Sequence, residues 1–313
     1  MKYFQKRKKY DTIGVNALKE NKFSFEYEKF DIERPFDFSL HSSIGCGGLA
    51  KIAVYPRTEE QLKTLIDGFE KTKKDWIVIG NLTNVLPSDF GTEKMVICTK
   101  KLTKMEIFRE SATVYAEAGV TSGALLHTLR KESLSGAEFL SGIPCTLGGA
   151  LYMNAGAGGT YISEIVENVR VYQDGEFLTL PARECEYSYK NSLFMRRKSV
   201  IIGATMKLEK SDEKTVVSKE KAWKARRKHL PKGKSMGCVF KNPTDISAGE
   251  LIEKAGLKGL RVGGAKVSEI HANFIINDGK ATAREISTLI ELIKNAVFAY
   301  CGVVLEEEIE YLT

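Results

Sequence analysis

The stretch that decides the fold is Ser141-Gly142-Ile143-Pro144-Cys145-Thr146-Leu147-Gly148-Gly149-Ala150-Leu151-Tyr152-Met153-Asn154-Ala155-Gly156-Ala157-Gly158-Gly159. Six of its residues are glycine. Glycine lets a backbone approach a ligand closely and leaves its N–H groups exposed. Clusters of such N–H groups suit a pyrophosphate. No GxGxxG follows a strand, so a standard Rossmann site is not indicated, and no GxxxxGK[ST] phosphate loop is present. On composition alone, tight turns and close packing account for the glycines as well as ligand binding does.

The flanks of this stretch read as alternating strands and helices. Lys51-Ile52-Ala53-Val54-Tyr55 alternates like a strand, and Thr58-Glu59-Glu60-Gln61 forms a capping-box pattern ahead of Leu62, Leu65, Ile66 and Phe69. Trp76–Ile79 is a short apolar strand running into the loop Gly80-Asn81-Leu82-Thr83-Asn84. Met95–Cys98, Thr113–Ala116, Val169–Tyr172 and Ser199–Ala204 read as further strands, and Val120 to Leu134 as a helix. A third region starts near Ser211. Ser247-Ala248-Gly249-Glu250 and Thr282-Ala283-Arg284-Glu285 are capping boxes, and the second opens a helix with Ile286, Leu289, Ile290, Ile293 and Val297 at helical spacing, stopped by Gly302. Val303 to Ile309 reads as a terminal strand, whose alternation puts Glu306, Glu308 and Glu310 on one face and Glu307 on the other.

Composition narrows the function. The 313 residues carry 47 Lys+Arg against 40 Asp+Glu, a net charge of +7, with 43% hydrophobic residues. That excludes a disordered or collagen-like chain and points to acidic partners. No apolar run reaches the roughly 18 residues of a membrane span, and the polar N-terminus has no secretory pattern. The six cysteines are scattered with no CxxC pair, which predicts reduced thiols in the cytoplasm, no disulfide framework and no metal site. No basic stripe with aromatic readers is evident, so nucleic acid is not an expected partner. Residues 1–22 form a basic extension, and His41 and His127 read as structural.

The glycine stretch, taken with other segments, resembles the UDP-N-acetylmuramate dehydrogenase family, also called UDP-N-acetylenolpyruvoylglucosamine reductase. Those segments are His41-Ser42-Ser43, Tyr189-Lys190-Asn191-Ser192, Gly237-Cys238-Val239-Phe240-Lys241-Asn242-Pro243, Leu251 to Gly259, Val267 to Phe274 and Leu305-Glu306-Glu307-Glu308, in the family's order. The resemblance runs from about residue 37 to the end and fits the shorter form of the family, without an extra loop insertion. It implies an α+β fold: a vanillyl-alcohol-oxidase-type (PCMH-like) FAD-binding pair of subdomains plus a C-terminal α+β substrate-binding subdomain. The expected boundaries are 23–100 and 101–210 for the FAD-binding subdomains, 211–300 for the substrate-binding one, and 301–313 for a strand returning to the flavin. It also implies FAD as cofactor, NADPH as reductant and a UDP-sugar substrate for a cytoplasmic, monomeric enzyme of peptidoglycan precursor synthesis.

Site residues follow from the same resemblance. FAD is expected at Gly80, Asn81, Leu82, Thr83, Asn84 and Val85, at Gly142, Ile143, Pro144, Gly148 and Gly149, and at Asn154, Ala155 and Gly156. Lys190 stands where the family has an arginine that polarises the substrate carboxylate; lysine keeps the charge but loses the bidentate geometry. Glu308 is the matching acid. Cys238 replaces the family's proton-donating serine, and a thiol is protonated at neutral pH. Tyr189, Arg226, Asn242 and His271 are the expected substrate contacts. Leu82 replaces a glycine of the pyrophosphate loop, and leucine tolerates left-handed backbone angles poorly. The substitutions at 82, 190 and 238 leave two alternatives: a non-catalytic paralogue that binds a nucleotide sugar or a partner, and a flavoenzyme of the same fold with another substrate.

Overall fold

The computed structural model describes residues 27–313; the basic extension read at residues 1–22 lies outside them. The first sheet has the strand order Asp31–Glu33, Ala53–Tyr55, Met95–Cys98, Trp76–Ile79, antiparallel in its first pair and parallel in the others. Side chains alternate across it. Val54 and Ile97 pack under the helix Glu59–Lys71 with Leu62, Leu65, Ile66 and Phe69, while Ala53, Val96 and Ile79 face Phe36, Phe38 and Leu82. Thr58 caps that helix by accepting from Gln61 N–H. The expected box is not reciprocal: the Gln61 side chain accepts from Arg57 N–H at 2.8 Å, one residue before the cap.

The second sheet is antiparallel throughout, in the order Glu176–Pro181, Val166–Gln173, Val200–Lys207, Thr113–Glu117, Met105–Phe108. Val114, Ala116, Val169, Val171, Ala204 and Met206 share a core with the helices Ser122–Lys131 and Leu147–Tyr152. The helix predicted from Val120 to Leu134 is shorter at both ends. Thr121 is extended and caps it, and Leu134 pairs instead with Lys210 in a two-residue ladder.

In the third region the helix Ala283–Cys301 buries Ile286, Leu289, Ile290, Ile293 and Val297 against the small sheet Arg261–Val262, Ala265–Val267, Ile275–Asn277 and the helix Ala248–Lys254. The Thr282 box forms in both directions, and Gly302 ends the helix at φ 72°. The Ser247 box forms in one direction only, because Glu250 pairs with Lys254 at 2.8 Å. The terminal strand is displaced from the one expected: it is Glu310–Leu312, parallel to Val85–Pro87. Residues 303–309 instead cross the third region, with Glu306 O accepting from Lys241 N–H and Glu308 N–H donating to Val239 O, before Glu310 N–H reaches Asn84 O. The tail therefore stitches the third region to the loop after Ile79. Among the described residues no helix is long and apolar enough to cross a membrane, and no cluster of His, Cys, Asp and Glu suits a metal ion.

Candidate active site

Two loops lie against each other at the junction of the sheets. Asn81 Nδ2 donates to Pro144 O at 2.9 Å. A Cβ at Gly80 would sit 2.5 Å from Thr146 Oγ1, and one at Gly148 would sit 2.9 Å from Ala118 Cβ, so glycine is what lets these segments approach. Ile143 N–H donates to Leu140 O, and its carbonyl accepts from Ser122 Oγ; Gly142 sits at φ 80°, and Gly149 N–H is capped by Thr146. Leu82 does adopt the left-handed conformation that leucine resists, at φ 51°. Its side chain is 4% exposed and packed with Phe36, Phe38, Ile79 and Leu312. Burial of a leucine is worth about 1.5–3 kcal/mol, more than the roughly 1–2 kcal/mol cost of the left-handed angle.

Among the described residues the backbone N–H groups of Gly80, Asn81, Leu82, Thr83 and Asn84 donate to no protein acceptor. Five consecutive free donors beside a glycine-lined turn fit the diphosphate of a dinucleotide cofactor. Asn84 Nδ2 donates to Glu308 O at 2.9 Å and contacts Met153 Sδ, and the following residue, Val85, begins the strand that receives the tail. Asn154 is buried at φ 44° and uses its amide internally, accepting from Ser163 N–H and donating to Ser188 O, which fixes the turn before Tyr189. Ala155 O accepts from Ile162 N–H, and Gly156 pairs with Tyr161 in a hairpin too tight for a Cβ.

Lys190, Cys238 and Glu308 are brought together from three distant parts of the chain. Lys190 Nζ lies 2.6 Å from Glu308 Oε1, and both side chains are largely buried, at 16% and 12% exposure. Burial, and then the Glu308 carboxylate, push the Cys238 thiol up to about 11, against the opposing pull of Lys190 and Arg227. The thiol is therefore neutral at physiological pH, with two cations close enough to steady a thiolate. The acidic tail does not form one acidic face. Three of the carboxylates turn to separate lysines, Glu306 to Lys241, Glu307 to Lys294 and Glu308 to Lys190, because the segment is not in a regular ladder before Glu310. Glu310 is half-buried, and that burial raises its pKa.

The expected substrate contacts fall in two groups. Tyr189 Oη accepts from Asn242 N–H at 3.1 Å, and Asn242 Oδ1 accepts from Ala248 N–H, at the start of the helix where Gly249 faces the His271 ring. His271 Nδ1 accepts from Asn273 N–H, and burial lowers its pKa, keeping it neutral. Arg226 lies elsewhere: it is exposed and stacked on Trp223, 4.6 Å from the ring centroid. The arginine that turns inward is Arg227. It lies 3.2 Å from the Cβ position of Gly142 and feels Cys238 and Cys145, and burial lowers its pKa. Adjacent helical residues point about 100° apart, so a run of basic residues at the end of the helix Glu213–Arg226 could not show which one faces in. Tyr161, edge-on to Tyr189 at 6.2 Å, also escaped the sequence reading because it matches no motif.

Two α+β lobes meeting along glycine-bearing loops, one of them with free amides, the second lobe supplying a cation and a third region with its tail supplying a thiol and an acid, define a cofactor-dependent enzyme of the dinucleotide-binding class. Sequence comparison agrees: residues 50–180 match the FAD binding domain family, and residues 228–312 match the UDP-N-acetylenolpyruvoylglucosamine reductase C-terminal domain. The chain is 38% identical over 288 residues to the UDP-N-acetylenolpyruvoylglucosamine reductase of Clostridioides difficile, covering 91% of this chain and 94% of that one. It is 35% identical over 277 residues to the Bacillus subtilis enzyme of the same name, covering 87% and 91%. The crystal structure of the Thermus caldophilus reductase superposes with a TM-score of 0.79 at 31% identity, covering 91% of this chain and all of that one. The chain belongs to the UDP-N-acetylenolpyruvoylglucosamine reductase family.

Proposed function

We propose that this protein reduces UDP-N-acetylglucosamine enolpyruvate to UDP-N-acetylmuramate, with FAD as bound cofactor and NADPH as reductant, in the supply of peptidoglycan precursors for cell-wall growth. The buried Lys190–Glu308 pair with Cys238 beside it carries this reading. FAD, when bound, supplies a hydride taken from NADPH. The free N–H groups of residues 80–84 would hold its diphosphate at the start of the segment 80–85, the glycine turn 142–149 would let the cofactor lie close against it, and Asn154, Ala155 and Gly156 shape the adjoining turn.

The substrate carboxylate belongs next to Lys190, whose charge favours electron flow into the enolpyruvyl group as the double bond is reduced. Glu308 orients Lys190 and stands ready to hydrogen-bond the developing enol. Cys238 Sγ–H gives its proton to the remaining carbon of the double bond, and the thiolate left behind is steadied by Lys190 and Arg227 until solvent returns the proton. Tyr189, Asn242 and His271 line the approach, and Arg227 meets the substrate diphosphate. The six free cysteines suit a cytoplasmic enzyme, and we take it to be a monomer.

A visible absorption spectrum and an NADPH assay test this. The purified protein is expected to be yellow, and its NADPH oxidation to depend on the enolpyruvyl nucleotide sugar. A preparation that takes up no FAD, or one that oxidises NADPH at the same rate without that sugar, overturns the proposal.

A further inference from the structure

The consecutive arginines 226 and 227 lie against different glycines, Gly158 and Gly142, and only the inner one has a role in the chemistry above. Arg226 ends the helix Glu213–Arg226, is exposed, and has no carboxylate within ion-pairing distance among the described residues. Its guanidinium lies over the Trp223 ring, 4.6 Å from the centroid. The indole in turn packs on the tip of the hairpin formed by Gly156–Ala157 and Thr160–Tyr161. A Cβ at Gly158 would come within 3.0 Å of the Trp223 ring and 3.3 Å of Arg226 Nη1. The turn residues Gly158 and Gly159 have φ 59° and 87°, and their N–H groups donate to no protein acceptor among the described residues. The far end of the same hairpin carries Tyr161, edge-on to Tyr189, which directly precedes Lys190. The hairpin thus links its tip, through Tyr161 and Tyr189, to the segment that carries Lys190.

We infer that Arg226, braced by Trp223 at this glycine tip, selects a reductant bearing a phosphate monoester on its adenosine ribose over the same dinucleotide without it. This rests on the proposed nicotinamide-dependent reaction and adds the residue that sets its cofactor preference. Stacking on indole immobilises one face of the guanidinium and leaves the other face and the N–H edge open. That is a pre-organised surface for an adenine ring and for a doubly charged phosphate. The adjacent free glycine N–H groups add neutral donors to the same anion. A UDP-sugar has only its diphosphate, which the inward Arg227 can meet. A second, remote phosphate exists only on the phosphorylated dinucleotide, and Arg226 is the arginine placed away from the reacting atoms.

Trp223 is one of only two tryptophans, the other being Trp76, so it reports on its own platform. In a Trp76→Phe holoenzyme, adenosine 2′,5′-bisphosphate should quench Trp223 emission with a half-saturation at least about 10-fold lower than 5′-AMP, the range of one charge-assisted pair. Arg226→Gln should shrink that ratio to below about 2-fold while UDP affinity stays within 2-fold. Equal affinity for the two adenosine phosphates in the parent protein, or equal weakening of UDP and the bisphosphate in Arg226→Gln, overturns the assignment. Calorimetric titration of the protein without the Trp76 change yields the same ratios if that variant folds poorly. Stopped-flow bleaching of the flavin should show the NADPH-over-NADH preference falling in parallel. Failure of both dinucleotides to bleach it would instead defeat the proposed reaction, leaving the bisphosphate titration to judge the platform alone.

Discussion

The glycine-lined cleft and the Lys190–Cys238–Glu308 cluster meet at Asn84, whose Nδ2 donates to Glu308 O, yet they are built by different rules. In the proposed reaction the cleft works through backbone N–H groups, which any residue with the right φ and ψ presents. Asn81 and Leu82 can therefore stand where the family pattern has glycine: Asn81 ties the loop to Pro144, and Leu82 anchors it in the core. In the proposed reaction the cluster works through side-chain charge and a movable proton, so its departures from the pattern must conserve those properties. Lysine keeps the positive charge and cysteine keeps a donor proton. Substitution is tolerated where geometry alone is needed, and limited by chemistry where it is not.

The strongest way to break this contrast is Lys190→Ala. It leaves Glu308 buried without its cation and should lower the rate of substrate reduction by about 10²–10³-fold, with flavin reduction by NADPH within a few-fold of normal. Stopped-flow traces of the two half-reactions check it; an equal loss in both would erase the division between cluster and cleft. Lys190→Arg should retain most activity. Next, Cys238→Ala should slow substrate reduction by about 10²-fold, whereas Cys238→Ser keeps a proton to give and should lose far less.

On the cleft side, Leu82→Gly removes a buried side chain, at about 2–3 kcal/mol, and relieves the left-handed angle, regaining about 1 kcal/mol. A net loss of about 1–2 kcal/mol in denaturant unfolding is expected with FAD still bound. Loss of FAD at unchanged stability would show that the leucine touches the cofactor rather than the core. The smallest effect is in pH. The Cys238 thiol, held at about 11, stays protonated in the fold while an unfolded thiol ionises at lower pH. The unfolded state therefore releases protons first, and stability should fall as pH rises from about 8.5 toward 11, less so in Cys238→Ser. Substrate reduction should show its own alkaline limb only near 11.

Much of this was readable in the chain. The strands Trp76–Ile79 and Met95–Cys98 and the helix Ala283–Cys301 follow from apolar periodicity and caps, because local burial and local hydrogen bonds decide them. The tail did not follow. Val303 to Ile309 has strand-forming residues, but its partners are Val239 and Lys241, far away in sequence, and they do not continue it as a ladder. Likewise, the choice of Arg227 over Arg226 depends on how one helix end sits against Gly142 and Gly158.

The sequence by itself determined the local elements, the glycine cleft and the chemical types at positions 190, 238 and 308, since motifs record residue identity and short-range spacing. Only the tertiary structure decided that Leu82 can hold a left-handed angle, that the four tail glutamates are set apart rather than clustered, and which arginine faces the thiol. Those outcomes depend on burial and on partners supplied by other elements of the fold, whose free energies no local pattern encodes.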